Sequence, residues 1–116
     1  MKLFPSLQKR YTKERFTAVQ AQRLAQEIAF GPIVFQVSRL MLKFGIFRLL
    51  SDNREGLSLE QISQNTGLSK YATQVLLEAS LTIGTVLVKD DQYILAKAGW
   101  FLLNDEMAQV NMDFNQ

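Results

Sequence analysis

Between Ile33 and Phe44 the chain sets Ile33, Val34, Phe35, Val37, Leu40, Met41, Leu42 and Phe44 around most of a helical wheel instead of along one stripe. A helix that is apolar on nearly every side has to be covered on several sides. A chain of 116 residues has one ordinary domain's core to do it with. Left bare, the remainder would form a larger apolar patch than a soluble monomer tolerates. Phe30, Ile33, Val34, Phe35, Val37, Leu40, Met41 and Phe44 are therefore expected to face a second protein surface. That surface is expected to be another copy of the chain, because hydrophobic, obligate-type contacts commonly close as symmetric dimers. Phe47 belongs to the same aromatic group and suits either seam or core.

Upstream, Phe16, Val19, Ala21, Leu24, Ala25 and Ile28 recur at near-helical spacing among Gln, Glu, Arg and Ala, which predicts a helix over 12–30 with one apolar stripe. Gly31-Pro32 is expected to end it, with Pro32 as the first residue of the next helix. Gly45 is expected to break that second helix, and Ile46 to Leu50 add one short turn before the polar loop 51–56. The amino-terminal helices thus occupy 12–50.

The next stretch is densely punctuated. Ser58 and Gln61 stand at capping-box spacing, Gly67 can close the helix they open, and Ser69 can cap another that Gly84 closes. In that second helix Leu68, Tyr71, Ala72, Val75, Leu76, Ala79 and Ile83 are expected to form the buried stripe. Two short helices across a Gly-containing turn make a helix-turn-helix over 57–84. Two β-prone runs about Asp90-Asp91 then make a hairpin, or wing, over 85–95. Residues 97–116 are expected to begin a connecting helix, with Trp100 anchoring it to the wing. The fold class expected is mainly α with a small β-hairpin: a winged helix-turn-helix with extra N-terminal helices for dimerisation, in one domain over 1–116.

The chain has no His and no Cys, so thiolate chemistry has no nucleophile, triad chemistry has no second member, and zinc or another metal site is not expected. The pairs Asp90-Asp91 and Asp105-Glu106 suit solubility and helix ends better than acid–base work. No catalytic residue is assigned. Arg39, Lys43 and Arg48 interrupt the greasiest stretch, which argues against a membrane span, and no signal-peptide core precedes it, so a cytoplasmic location is expected.

Charge is unevenly spread. Residues 1–54 hold ten Lys and Arg against three acids, a net +7, whereas 55–116 hold three Lys against eight acids, a net −5. DNA affinity comes largely from phosphates neutralised by Lys and Arg. The helix-turn-helix lies in the acidic half, its second helix offers Lys70 and Gln74 beside Glu78, and the wing's Lys89 adjoins two aspartates. Nucleic acid is therefore not the expected partner. A DNA-binding transcription regulator of the winged-helix kind is the alternative reading, resting on the helix-turn-helix pattern and the basic segment 9–15.

The motif Leu57-x-x-x-Gln61-Ile62-x-x-x-Thr66-Gly67-Leu68-Ser69, the following Leu-rich helix, the run Asp90 to Leu95 and the segment Gly99 to Met107 together resemble a known family. It is the amino-terminal dimerisation domain of class I S-adenosylmethionine-dependent methyltransferases of the small-molecule O-methyltransferase type. The resemblance implies a winged helix retired from DNA binding, intertwined with its copy in a homodimer. It also implies a catalytic domain following in the chain, which binds S-adenosylmethionine, and a role for this domain in positioning substrate. The six glycines here are scattered with no G-x-G spacing, so no cofactor is expected to be bound by these residues themselves.

Overall fold

A computed structural model describes residues 5–105. Its elements in chain order are α1 (Pro5–Arg10), α2 (Ala18–Lys43), α3 (Ile46–Asp52), α4 (Leu59–Thr66), α5 (Lys70–Ile83), β1 (Val86–Lys89), β2 (Gln92–Leu95) and α6 (Lys97–Asn104). The rest of the expected connecting segment, 106–116, lies outside the described residues. The fold class is as expected, mainly helical with one antiparallel hairpin, in a winged-helix-like arrangement. Two compact units divide the chain, Met1–Pro32 and Ile33–Gln116.

In the first unit, Thr17 opens α2 by a reciprocal cap. Its Oγ1 accepts from the Gln20 N–H at 3.2 Å, and Gln20 Oε1 accepts from the Thr17 N–H at 3.0 Å. Both donors would otherwise lack partners at the helix start. The helix therefore begins at Ala18, six residues after the expected Thr12. Residues 11–30 are all exposed.

Gly31-Pro32 does not end the helix. α2 runs 26 residues with Pro32 inside it. A proline there removes one helical donor and crowds the carbonyl four residues back, at a cost of about 3 kcal/mol. The good helix formers on both sides, from Gln20 to Glu27 and from Leu40 to Lys43, carry the helix through it.

The second unit holds the core. Gly45, at φ +73°, closes α2 with its N–H donating to the Leu42 carbonyl and opens α3 with its own carbonyl accepting from Leu49. Ile46, Phe47 and Leu50 of α3 then turn inward and are fully buried with Met41, Ile62, Leu77 and Val86. Each such side chain contributes about 1.5–3 kcal/mol by leaving water. Phe47 is thus a core residue and not a seam residue.

The helix-turn-helix caps form as the spacing predicts. Ser58 and Gln61 make the capping box of α4, Gly67 closes it in the left-handed region, Ser69 Oγ accepts from the Ala72 N–H, and Gly84 closes α5. The buried face of α5 differs from the expected stripe. Thr73, Leu76, Leu77 and Ser80 face the core, whereas Tyr71 is 79 % and Val75 47 % exposed. The Thr73 hydroxyl donates to the Ser69 carbonyl at 2.8 Å, so it needs no water and can be buried.

The hairpin pairs Val86 with Leu95 through to Lys89 with Gln92, turning at Asp90 and Asp91, both left-handed at φ 52° and 62°. Positive φ at both central residues is what a two-residue turn matching strand twist demands. Leu57 adds a bridge to Tyr93, exchanging hydrogen bonds of 3.1 and 2.7 Å. Gly56 permits this approach, since a Cβ there would lie 2.8 Å from Gln92 Cβ. On α6 the buried residues are Gly99 and Leu103. A Cβ at Gly99 would lie 2.5 Å from the Thr85 carbonyl oxygen. Trp100, the expected anchor, is 44 % exposed and lines a cleft with Ile94 and Leu95 of the wing.

Candidate dimerisation surface

The candidate surface is α2. Of the eight residues expected to meet a partner, Phe30, Ile33, Val34 and Phe44 are exposed, and Phe35, Val37 and Leu40 are half-buried. Val37 and Leu40 pack at the edge of the core. Met41 is fully buried among Ile46, Phe47 and Leu50, so this chain already covers it and it has no surface to offer a partner. Val19, Leu24 and Ile28 belong to the apolar stripe expected of the upstream helix. They are exposed, as is Phe16 just before the helix.

The angular spread of these side chains matters more than their number. At about 100° per residue, Val19 and Phe30 of the first unit fall on one side of the wheel and Leu24 and Ile28 on the opposite side, while in the second unit Ile33 and Val34 lie about 100° apart. A flat partner touching one side would leave the other wet. Over the first unit, coverage requires a surface that embraces the helix.

Arg39 adds a polar sign of incompleteness. Its guanidinium reaches Gln36 Oε1 at 3.2 Å, but its Nε is buried with no acceptor. Buried donors in native proteins are nearly always paired.

The outward face of the second helix of the helix-turn-helix is of another kind. α5 presents Tyr71 and Val75, with Gln74 Nε2 donating to Glu78 Oε1 at 3.0 Å. Lys70 is held by Glu60 at 3.3 Å. Base edges and phosphates are read by free Arg, Lys, Asn and Gln; here the cation and the amide of this face are each engaged by a carboxylate.

Among the described residues no cluster of three or more His, Cys, Asp or Glu is placed to hold a metal, and no helix is long and apolar enough to cross a membrane. Capped helix-turn-helix, hairpin and a long apolar helix lacking cover define a helical association module. The family model of the Dimerisation2-like domain matches residues 22–93, and the chain belongs to that family.

Methyltransferases are among its relatives. L-tyrosine C(3)-methyltransferase of Streptomyces lavendulae is 35 % identical over 69 residues, which is 60 % of this chain and 19 % of that protein. Among solved structures, the apo form of the S-adenosylmethionine-dependent methyltransferase SibL superposes with a TM-score of 0.64 at 25 % identity, over 75 % of this chain and 25 % of that one. The N,N-8-amino-8-demethyl-D-riboflavin dimethyltransferase RosA of Streptomyces davawensis gives 0.61 at 26 % identity, over 78 % of this chain and 26 % of that one. The chain thus spans about a fifth to a quarter of the length of these relatives.

Proposed function

We propose that this chain, over 1–116, is the amino-terminal dimerisation module of an S-adenosylmethionine-dependent methyltransferase. Two copies embrace each other's α2, and the catalytic domain that follows in the parent enzyme binds S-adenosylmethionine and transfers its methyl group to a small acceptor. By fixing where one catalytic domain stands relative to its twin, the module positions substrate at the active site, and the assembly works in the cytoplasm. The observation that carries this reading is the apolar surface on both sides of α2, with Ile28 69 %, Ile33 59 % and Phe30 58 % exposed. Membership of a dimerisation family and the methyltransferase relatives support it.

Sedimentation equilibrium tests it. At tens of micromolar the chain is expected to sediment at twice its 13.2 kDa mass, and the double variant Ile28→Asp, Ile33→Asp at a single mass with its helix content kept. A single mass for the parent chain at millimolar concentration overturns the dimer. Coding sequence beyond residue 116 is expected to supply a strand followed by a Gly-rich turn, the mark of a nucleotide-binding catalytic domain; an unrelated domain there would overturn the methyltransferase assignment alone.

A further inference from the structure

A cleft of about 280 Å³ opens in the second unit where the end of α3 meets β2 and the first turn of α6. Leu50, Ile94, Leu95 and Trp100 give it apolar walls, and the charged residues of its lining are Arg54 and Lys97. No carboxylate lines it. Asp52 and Glu55 line a neighbouring hollow that shares Arg54. Among the described residues neither Arg54 nor Lys97 forms an ion pair, in contrast to Lys70 with Glu60.

Two cations on one hollow repel each other, and an anion between them relieves that repulsion. A guanidinium also offers a planar fork that matches a carboxylate. The first turn of α6 adds to the same bias, because Ala96 at its cap has no side-chain acceptor for the leading N–H groups. The apolar walls select against a simple inorganic ion. Trp100 lines the cleft, 44 % exposed and edge-to-face with Phe101, and so brings an aromatic surface to it. The volume lies at the small end of ligand pockets, room for about one ring and a short acidic arm.

We propose that this cleft binds a small aromatic carboxylate, its ring on Trp100, Leu50 and Ile94 and its acid group held by Arg54 and Lys97. The site is independent of the dimer: it uses no residue of α2.

Trp100 is the sole tryptophan of the chain, so intrinsic fluorescence reports on this cleft. The 116-residue chain is titrated with phenylacetate, with the neutral isostere phenylacetamide and with inorganic phosphate. Phenylacetate is expected to give a saturable change in emission, with phenylacetamide and phosphate each at least about tenfold weaker, a difference of about 1.4 kcal/mol. Arg54→Gln and Lys97→Gln are each expected to weaken phenylacetate about threefold to tenfold, with the circular dichroism spectrum kept. Equal affinity for the amide would remove the anion-binding role. Equal affinity for phosphate would reduce the cleft to an adventitious anion site, and a linear, unsaturable response or undiminished binding by both charge variants would overturn the site altogether.

Discussion

The stretch from Val19 to Val34 and the stretch from Ile46 to Leu103 are both rich in large apolar residues, yet only the second gathers part of them into a buried core. In the second, helices of seven to fourteen residues are cut to length by glycines and hydroxyl caps, and each turns one face to a shared core. In the first, one helix runs 26 residues, and its apolar residues from Val19 to Phe30 point to opposite sides. Caps and breaks decide whether hydrophobic residues converge. A long helix with no break along it keeps its shape and leaves its side chains to be covered by something else, which is the physical basis for reading α2 as an association element.

The sharpest way to break this contrast is the same kind of truncation in each region. Phe47→Ala opens a cavity in a fully buried site and is expected to cost about 3–5 kcal/mol, much of a small domain's stability. Ile28→Ala, on a side chain 69 % exposed, is expected to change the stability of the dissociated chain by less than about 0.5 kcal/mol. Urea denaturation at low protein concentration reads both, and comparable losses would erase the distinction. Gly99→Ala is the next largest: its methyl group meets the Thr85 carbonyl oxygen and Leu95 Cδ1, the latter at 2.6 Å, and overpacking of this kind costs about 1–3 kcal/mol, seen as a lower Tm. The smallest effect has the opposite sign. Ser80 Oγ is buried with no hydrogen-bond partner, so Ser80→Ala is expected to leave stability unchanged or raise it by up to about 1 kcal/mol; a clear drop in Tm would show that the hydroxyl has a partner after all.

How far the fold was legible follows from how local each signal was. The caps at Ser58 and Ser69 and the closures at Gly67 and Gly84 depend on neighbours within four residues, and all four stand where the spacing put them. Thr17 and Gln20 carry the same reciprocal signature, whereas the expected start at Thr12 lies ahead of both that cap and Phe16, the first residue of the apolar stripe. Pro32 was misread because a proline suits both the first position of a helix and, at a cost, its interior. Which one holds depends on the helix formers around it.

The buried face of α5 lay beyond reach of residue type. Thr73 and Ser80 count as polar, and only the contacts of the folded helix put them inside and Tyr71 and Val75 outside. At the candidate surface, the excess of apolar residues in α2 was legible. Its division was not: Met41 and Phe47 lie only three and six residues from Phe44 and Met41 respectively, but the turn at Gly45 folds α3 back and draws both into the core. The cleft of Arg54, Lys97 and Trp100 had no signal at all, since its residues are brought together by β2 and α6 from distant parts of the chain.

Amide hydrogen exchange along α2, followed over a range of protein concentrations, tests most directly whether a second copy supplies its cover. If it does, the amides from Leu24 to Val34 are slow at concentrations where the chain pairs and quicken on dilution, while those of α5 around Leu77 stay equally slow throughout. Exchange along α2 that is fast at every concentration, or slow to a degree that dilution does not alter, would contradict the covering of that helix by its twin.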